Sequence, residues 1–440
     1  MYKYLLIFRV TAALLFFPKE VFGQNFPQYS VSIAPGETGG YYFLTPGSKA
    51  GSYHALIDGK GELVYFKRFG PGIKTSDFKL QPNGLMSYHL EDKTYLLDST
   101  FRIVDSVTSI NGIRYDNHDF HILPNGNFMV LGFETQQKDL SNLKGFNKNG
   151  SPGSKEATLK YSVIQELDAN KKLVFQWSSK EYYDLKDIDT SRLSDPAMVD
   201  MAHINAVEYD TDGNLLVSAR NFTEITKINH KDGSVMWRLG GNKNQFRFIN
   251  DPGQFKSQHD ARRLKNGHIT LFDNGAPGIP FHPARAVEYE LNEKTLTASL
   301  VWSYTNDPLV YSLAAGNTQR LSQNSTLISY GVCKRVNTVF NLVNSSGTKL
   351  FELSFKDTLF TYRAFEYPGL PWNLKRPEIR SYKKDGKIYL EAKTYYSRYY
   401  WSTGERSRVI EIKSPGKYQV FIPAGEGGYI SSPAYNVKDL

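Results

Sequence analysis

Short runs of alternating apolar and polar residues follow one another along most of the chain, and a tight turn bounds each run. In the run that contains Leu215, Val217 and Ala219, every second side chain is apolar, which is typical of a half-buried β-strand rather than a helix. The turns are rich in Gly and Asn because both residues tolerate positive φ. The sequence therefore predicts an all-β fold. The most similar of these turns lie at residues 81–84, 123–126, 211–214, 264–267 and 321–325.

The spacing of the turns predicts a repeat of forty to fifty residues, with one step, from Gly126 to Gly213, about twice as long. A second motif, a polar turn followed by a run that ends in an aromatic residue, lies between them. It occurs at residues 61–66, 172–177, 233–237 and 299–302. Imperfect repeats of four short strands at this period are the signature of β-propeller blades.

The span 30–365 has room for six blades, so a six-bladed β-propeller is predicted, with one large β-sandwich as the alternative. The double step is expected to contain a blade whose turn has diverged, together with an insertion. Residues 138–156 are polar and without periodicity, which predicts a long surface loop. Residues 182–201 are expected to contain a short helix over one face of the propeller.

The first residues have the pattern of a secretory signal peptide. Lys3 and Arg9 precede the apolar run 10–17, and small residues stand before an expected cleavage at Gln24. Residues 1–23 are therefore predicted to be removed on export, which leaves a periplasmic, cell-surface or secreted protein. The apolar run is too short to span a membrane.

A domain boundary is predicted where three prolines interrupt the pattern, at 367–377. The propeller is assigned to 24–366 and a small β-sandwich to 373–440, since short strands follow the prolines. Trp-Ser-Thr-Gly-Glu at 401–405 and Gly-x-Tyr-x-Val at 416–420 resemble segments of bacterial immunoglobulin-like modules. Such a module implies attachment, through contact with a cell surface or a glycan.

Charge and cysteine content restrict the function further. The 440 residues carry a net charge of +9, but the basic residues are scattered, which indicates a solvated basic surface or a funnel for an anionic substrate. No recognition helix or stacking platform for nucleic acid is apparent. Cys333 is the single cysteine, so an intrachain disulfide is excluded.

Three histidines occupy equivalent places in the repeat. His118, His203 and His259 each stand just before a strand that leads into a repeat turn, and Arg220 follows a strand. Equivalent positions of different blades converge on the central channel of a propeller. The four side chains would form a cationic site suited to a tetrahedral oxyanion.

A series of motifs resembles the aryl-sulfate sulfotransferases over roughly residues 30–355. The series comprises Thr45-Pro-Gly, Asp77-Phe-Lys-Leu-Gln-Pro-Asn-Gly, Leu97-Asp-Ser, Asp116-Asn-His-Asp-Phe, His203-Ile-Asn, Ser218-Ala-Arg-Asn, Trp237-Arg-Leu-Gly-Gly, Gln258-His-Asp-Ala-Arg, Leu271-Phe-Asp-Asn-Gly and Gly316-Asn-Thr-Gln-Arg-Leu. This resemblance implies a propeller that moves a sulfuryl group from a phenolic sulfate ester to a phenol by a ping-pong route. It implies a covalent sulfohistidine, with no nucleotide donor, cofactor or metal.

The resemblance also implies roles for individual residues. His259 would be the nucleophile, and His203, Arg220 and His118 would line the catalytic site. Substrate-binding roles are predicted for Asn205, Asn221, Arg262 and His121. Residues three apart in an extended segment face opposite sides, so only one of His118 and His121 is expected to enter the site, and His118 is favoured.

Two other functions are compatible with the same residues. Three imidazoles with an open position could bind zinc in a hydrolase, although Arg220 would place a positive charge beside the metal. Alternatively, the propeller could bind sulfated or anionic glycans without catalysis. The first would require bound metal, and the second would tolerate the loss of His259.

Overall fold

A computed structural model describes residues 12–14, 26–35, 39–143, 152–189, 195, 197–275, 282–321, 325–333 and 337–439. The predicted signal peptide lies outside these ranges apart from the strand Ala12–Leu14, and most of the predicted 138–156 loop does too. In the described ranges the elements are β-strands and three 3-10 helices, Ser179–Glu181, Leu185–Asp187 and Arg220–Phe222. None of the helices described here is long and apolar enough to cross a membrane.

The predicted all-β propeller fold is confirmed. Six sheets of four antiparallel strands form the blades, and the inner strands of successive blades contact one another around a central axis. From the inner to the outer strand, blade 1 contains Ala364–Tyr367, Tyr41–Leu44, Gly51–Asp58 and Leu63–Phe69. Blade 2 contains Thr75–Leu80, Met86–Leu90, Lys93–Leu97 and Ile103–Val107. Blade 3 contains Arg114–Ile122, Phe128–Lys138, Ala157–Leu167 and Leu173–Ser178.

The other three blades have the same plan. Blade 4 contains Ile204–Tyr209, Leu215–Ala219, Glu224–Ile228 and Val235–Gly240. Blade 5 contains His259–Arg263, Ile269–Asp273, Arg285–Asn292 and Thr297–Thr305, with Arg247–Ile249 added at its outer edge. Blade 6 contains Asn317–Arg320, Thr326–Ser329, Thr338–Val343 and Lys349–Phe355, with Tyr29–Ile33 and Ala12–Leu14 outside them. Gly47–Ser48 folds onto blade 1, and Ser312–Ala314 pairs with Val332–Cys333.

The predicted turns at 81–84, 123–126, 211–214 and 264–267 each join the inner strand of a blade to its second strand, whereas most of the predicted turn at 321–325 lies outside the described residues. Gly84 and Gly267, with φ of 85° and 88°, need the left-handed conformation that glycine adopts without steric cost. A cluster of buried apolar side chains fills each gap between neighbouring blades. The sheets are therefore covered on both faces, and the strand Leu215–Ala219, which was predicted to be half-buried, is buried along its whole length.

The double step contains an insertion, as predicted, but the prediction that it also contains a further blade was wrong. The long antiparallel strands of blade 3, between residues 114 and 178, form a single sheet and use most of that step. Two 3-10 helices and the strand Met198–Asp200, which runs parallel to Ala157–Leu167, occupy the described part of the segment that follows. Blade 1 is the blade without a repeat turn. Its inner strand comes from residues 364–367, so no short turn joins it to the second strand.

The segment after the prolines continues the sheet of blade 1. Gly428–Ser431 pairs with the outer strand Leu63–Phe69, and Val420–Ala424 and Tyr400–Trp401 follow it. Trp401 and Ile430 share an apolar cluster with side chains of blades 1 and 2. The remaining strands are Ile379–Lys384, Lys387–Ala392, Val409–Ile412, Gly416–Tyr418 and Tyr435–Val437. The immunoglobulin-like assignment of 373–440 stays a prediction.

Candidate functional site: a histidine cluster above an axial arginine

The inner strands of blades 2 to 5 all lose register with their second strands at an equivalent level. Asp77 and Asp260 adopt positive φ at this bulge. A bulge re-aims the side chain of its extra residue. The residues at this level, Asp77, Asp119, Asn205 and Asp260, are all buried.

Arg363 fills the axis at this level. Its Nη1 lies 3.0 Å from Asp77 Oδ1 and 3.1 Å from Asp119 Oδ1, and its Nε lies 3.2 Å from Asp260 Oδ1. Its Nη2 donates a hydrogen bond of 2.7 Å to the Asn205 carbonyl oxygen. Only 1% of the Arg363 surface is exposed, so one guanidinium joins blades 2, 3, 4 and 5 and closes the channel.

The three predicted histidines lie together on the side of the bulge where the inner strands begin. His118 and His259 directly precede the bulge aspartates, and His203 precedes Asn205 by two residues. The ring centroids of His118 and His203 are 4.7 Å apart. Burial lowers the pKa of His259 well below its usual value, and the nearby charge of Arg220 lowers it further. The folded chain thus assembles an imidazole cluster next to a guanidinium.

The orientation of His259 fixes which ring nitrogen carries its proton. Nδ1 lies 2.7 Å from Asn274 Oδ1, while Asn274 Nδ2 donates to Ser312 Oγ at 2.9 Å and to the Ala315 carbonyl oxygen at 3.0 Å. Since the amide nitrogen faces oxygen acceptors, Oδ1 must accept from Nδ1–H. His259 Nε2 therefore keeps its lone pair, which accepts a hydrogen bond of 3.1 Å from the Ala315 N–H.

His118 and His203 have carboxylate partners instead of an amide. His203 Nδ1 lies 2.8 Å from Asp200 Oδ2, and His118 Nδ1 bonds to Asp116 Oδ1. Burial lowers the pKa of His203, and the charge of Asp200 opposes that effect. The neighbouring His203 holds the pKa of Asp200 at about 2 despite its burial. Carboxylate-bound imidazoles can exchange protons, whereas the environment of His259 favours the neutral ring.

Arg220 opens the 3-10 helix Arg220–Phe222, at the end of the second strand of blade 4. Its Nη1 donates to Asn221 Oδ1 at 3.1 Å and its Nη2 to the Leu313 carbonyl oxygen at 3.3 Å, while buried Nε meets no acceptor in the described residues. Asn221 also donates to the Asp200 carbonyl oxygen at 2.6 Å, so it joins the arginine turn to the His203 loop. Arg220 therefore retains an unused donor.

Comparison with known proteins identifies the family of this chain. A family model described as Arylsulfotransferase (ASST) matches residues 97–341, which is more than half of the chain. The chain belongs to the arylsulfotransferase family. No curated protein matches it significantly.

Solved structures similar to this arylsulfotransferase-family chain are distant in sequence. A protein of unknown function from Bacteroides caccae is 13% identical, with a TM-score of 0.48, over 74% of this chain and 98% of its own. A catalytically inactive virginiamycin B lyase from Staphylococcus aureus, with quinupristin, is 10% identical, with a TM-score of 0.37, over 83% and 97%. A β-propeller domain from Myceliophteria thermophila is 9% identical, with a TM-score of 0.36, over 89% and 100%.

Arg262 and His121, for which substrate-binding roles were predicted, belong to a different cluster of side chains. Arg262 Nη1 donates to His121 Nε2 at 3.0 Å, and Arg262 Nη2 lies 2.8 Å from Asp119 Oδ2. Glu208, whose pKa burial raises to about 7, lies 3.2 Å from the same guanidinium. These side chains bond to each other and to the axial network, and none of their described contacts is with His118, His203 or His259. His118, not His121, lies beside His203.

Asn205 and Asn221 form hydrogen bonds to the backbone of neighbouring segments. Asn205 Nδ2 donates to the Gln258 carbonyl oxygen at 2.8 Å and so joins the inner strands of blades 4 and 5. Asn221 contacts Arg220 and Asp200, as described above. Their predicted contact with substrate stays a prediction, whereas their role in shaping the site is visible in these hydrogen bonds.

Sequence reasoning missed four side chains that lie around the imidazole cluster. Asp116 and Asp200 bond to histidines, and Lys160 lies between these carboxylates, 2.9 Å from Asp116 Oδ2 and 3.5 Å from Asp200 Oδ2. The Tyr362 ring centroid is 5.9 Å from that of His118, and its buried hydroxyl has no partner in the described residues. Asp116 opens the quoted Asp-Asn-His-Asp-Phe motif, which was the one available signal.

Burial of neutral histidines predicts an acid-sensitive fold. Burial lowers the pKa of His54, His89, His121, His203 and His259, so the unfolded chain takes up protons near pH 6.5 that the folded chain resists. Above that pH the protein should keep its full free energy of unfolding. Below it, each neutral histidine costs up to roughly 1.4 kcal/mol per pH unit.

Urea unfolding followed by circular dichroism between pH 8 and pH 5 would measure this loss. The midpoint should fall steadily below about pH 6.5. Carboxylates with lowered pKa, such as Asp116 and Asp119, lose their contribution only at still lower pH. A midpoint that stays constant from pH 7.5 to pH 5.5 would contradict the expectation.

Proposed function

We propose that this chain moves a sulfuryl group from an aryl sulfate to a phenolic acceptor in two steps, through a sulfohistidine at His259. The supporting observation is the amide-fixed tautomer of His259. Asn274 holds the proton on Nδ1, which leaves an electron pair on Nε2, and a low pKa keeps the ring neutral. A neutral imidazole whose Nε2 carries an electron pair and no proton is a competent nucleophile.

In the first half-reaction, His259 Nε2 attacks sulfur and forms an N–S bond. The S–O bond to the phenol breaks, and its electron pair leaves with the phenolic oxygen. A protonated imidazole of the His118–His203 pair gives that oxygen a proton. The Ala315 N–H, which caps Nε2 at 3.1 Å, is displaced by the entering sulfur and can then donate to a sulfuryl oxygen.

The second half-reaction reverses these events with a new phenol. The neutral imidazole that gave its proton accepts one from the entering hydroxyl, whose oxygen attacks sulfur. The N–S bond breaks and its electron pair returns to His259 Nε2, which restores the starting state. Imidazole is the side chain that changes protonation most readily between pH 5 and pH 8, so it suits both proton transfers.

Arg220 and Tyr362 would bind the sulfuryl group. The unused Nε of Arg220 and the unpartnered hydroxyl of Tyr362 are donors in a buried site, where hydrogen bonds to an oxyanion are stronger than in water. A cleft of about 340 Å³ between blades 4 and 5 adjoins the Arg220 turn and is partly lined by Ile188, Phe222 and Phe255. This cleft is large enough for an aromatic ring.

A propeller that binds sulfated or anionic glycans without catalysis is the second candidate, because the same cationic cluster would hold a sulfate ester. It does not account for the fixed tautomer of His259. The zinc hydrolase has less support, since no group of three or more His, Cys, Asp or Glu side chains in the described ranges is arranged to hold a metal ion.

Export and surface contact complete the proposal. The pattern of residues 1–23 supports export to the periplasm, the cell surface or the medium. The segment 373–440 would then contact a cell surface or a glycan. Cell fractionation of the full-length chain, with N-terminal sequencing of the mature product, would test the first part.

A two-part assay tests the proposed reaction. With 4-nitrophenyl sulfate as donor, purified protein should release nitrophenol at a rate that depends on added phenol. Without phenol, mass spectrometry should find a His259 peptide that has gained one SO3 group. If folded protein shows neither turnover nor label across several aryl sulfates, the transferase proposal fails, and saturable binding of sulfated polysaccharides would support the glycan-binding propeller.

A further inference from the structure

Lys160 connects the two carboxylate–imidazole pairs of the site. It lies in the third strand of blade 3, with Nζ between Asp116 and Asp200 and 4.5 Å from the centre of the Phe133 ring. Asp116 Oδ1 also bonds to His118 Nδ1, and Asp200 Oδ2 also bonds to His203 Nδ1. The order of side chains is therefore His118, Asp116, Lys160, Asp200, His203.

We propose that Lys160 is a positioning residue that limits the Asp116–His118 and Asp200–His203 pairs to one exchangeable proton between them. The inference rests on the proposed sulfuryl transfer, which needs one proton for the leaving phenol and one vacant imidazole for the entering phenol. Lys160 itself touches neither substrate nor sulfur. It acts through the two carboxylates.

Charge balance supports this role. The two carboxylates are balanced by Lys160 and Arg220 when both imidazoles are neutral. One added proton then gives the group a single positive charge, which the monoanion of an aryl sulfate neutralises. Two added protons would place like charges on rings whose centroids are 4.7 Å apart, which is unfavourable in a buried site.

His259 lies beside both rings, and Asp189 and Asp200 lie near Arg220. His203 faces Asp200, His118 and Arg220, and Asp116 faces His118 and Lys160. Tyr115 and Tyr362 lie close enough to Asp116 to feel its charge. The charges of Asp116 and Asp200 raise the pKa of Lys160 against the effect of burial, so the ammonium stays charged through the neutral range.

Removing this ammonium should leave the carboxylates in excess. Both imidazoles would then hold protons at neutral pH, and the ring that gives its proton to the leaving phenol would regain one from solvent before the entering phenol could transfer its own. The defect would appear chiefly in the second half-reaction. Raising the pH would remove the surplus proton and restore the reaction.

The experiment compares Lys160→Met, Lys160→Arg and the unchanged protein in the transfer from 4-nitrophenyl sulfate to phenol. The profile of kcat against pH should move to higher pH by about one unit in Lys160→Met, because removing a cation from the neighbourhood of the imidazoles favours their protonated forms. Lys160→Arg retains the charge and should keep the original profile. Lys171→Met is the matched control. Lys171 lies on the same blade, and its half-exposed ammonium pairs with Asp105 at 2.5 Å.

A substrate-free measurement separates this inference from the proposed reaction. Titration of ¹⁵N-histidine-labelled protein by NMR should show that two imidazoles gain protons at higher pH in Lys160→Met than in the unchanged protein. If aryl sulfates are not turned over but this shift is observed, the transferase proposal fails and the role of Lys160 stands. If folded Lys160→Met shows the unchanged imidazole titration, or turns over substrate with the unchanged pH profile, the inference is overturned.

Discussion

Replacing His259 by alanine is expected to abolish the phenol-dependent release of nitrophenol, with a loss on the order of a thousandfold or more. The reason is that the imidazole supplies the electron pair that takes the sulfuryl group. The neighbouring His203 and His118 are bound to carboxylates, and their rings serve proton transfer in the proposed reaction. Stopped-flow release of nitrophenol and intact-protein mass would measure both the rate and the missing label.

A matched control for this variant is His268→Ala. His268 follows a repeat turn in blade 5 and lies 2.7 Å from Glu288, outside the imidazole cluster. It should retain turnover and label. Ordinary turnover in folded His259→Ala would assign the chemistry to another residue. A label on His203 or His118 in the unchanged protein would do the same.

Replacing Arg363 by methionine is expected to lower the free energy of unfolding by about 3–5 kcal/mol. Three buried carboxylates, Asp77, Asp119 and Asp260, meet three cations, Arg363, Lys79 and Arg262, in the axial network. Methionine fills a similar volume but leaves a carboxylate without a balancing charge. It also leaves the Asn205 carbonyl oxygen without its 2.7 Å donor.

Urea unfolding followed by tryptophan fluorescence would measure this loss. Lys387→Met is the comparison, because Lys387 forms an exposed ion pair with Glu411 at 3.0 Å and its loss should cost less than about 1 kcal/mol. Equal losses in the two variants would show that the axial network contributes no more than a surface pair. A complementary variant, Arg363→Lys, should recover part of the stability, since the ammonium keeps the charge but not the three-way fork.

The repeat turns and the alternating strands were predictable because both depend on local rules. A turn such as 264–267 needs residues that accept positive φ, and the strand after it needs apolar side chains at alternate positions. The convergence of His118, His203 and His259 followed from their equivalent places in the repeat. These inferences required no knowledge of how distant segments pair.

The parts that sequence reasoning missed all depend on pairing between distant segments. Lys160 stands in an unremarkable strand, and only the fold brings it between Asp116 and Asp200. Arg363 precedes the strand that closes the ring, so its place on the axis could not be inferred from its neighbours in the chain. His121 and Arg262 were grouped with the catalytic candidates because their motifs are adjacent in sequence, whereas the bulge directs their side chains to the other cluster.

The closing strand Ala364–Tyr367 has a consequence for the order in which the protein is made. Blade 1 receives three strands from the first part of the chain and its inner strand only after blade 6 has been synthesised. Tyr362 and Arg363 lie just before that strand. The residue that fills the axis and a residue proposed to bind the sulfuryl group are therefore both synthesised late. A nascent chain that stops short of it has neither a closed ring nor a complete site, and catalytic competence thus reports that synthesis has passed this point.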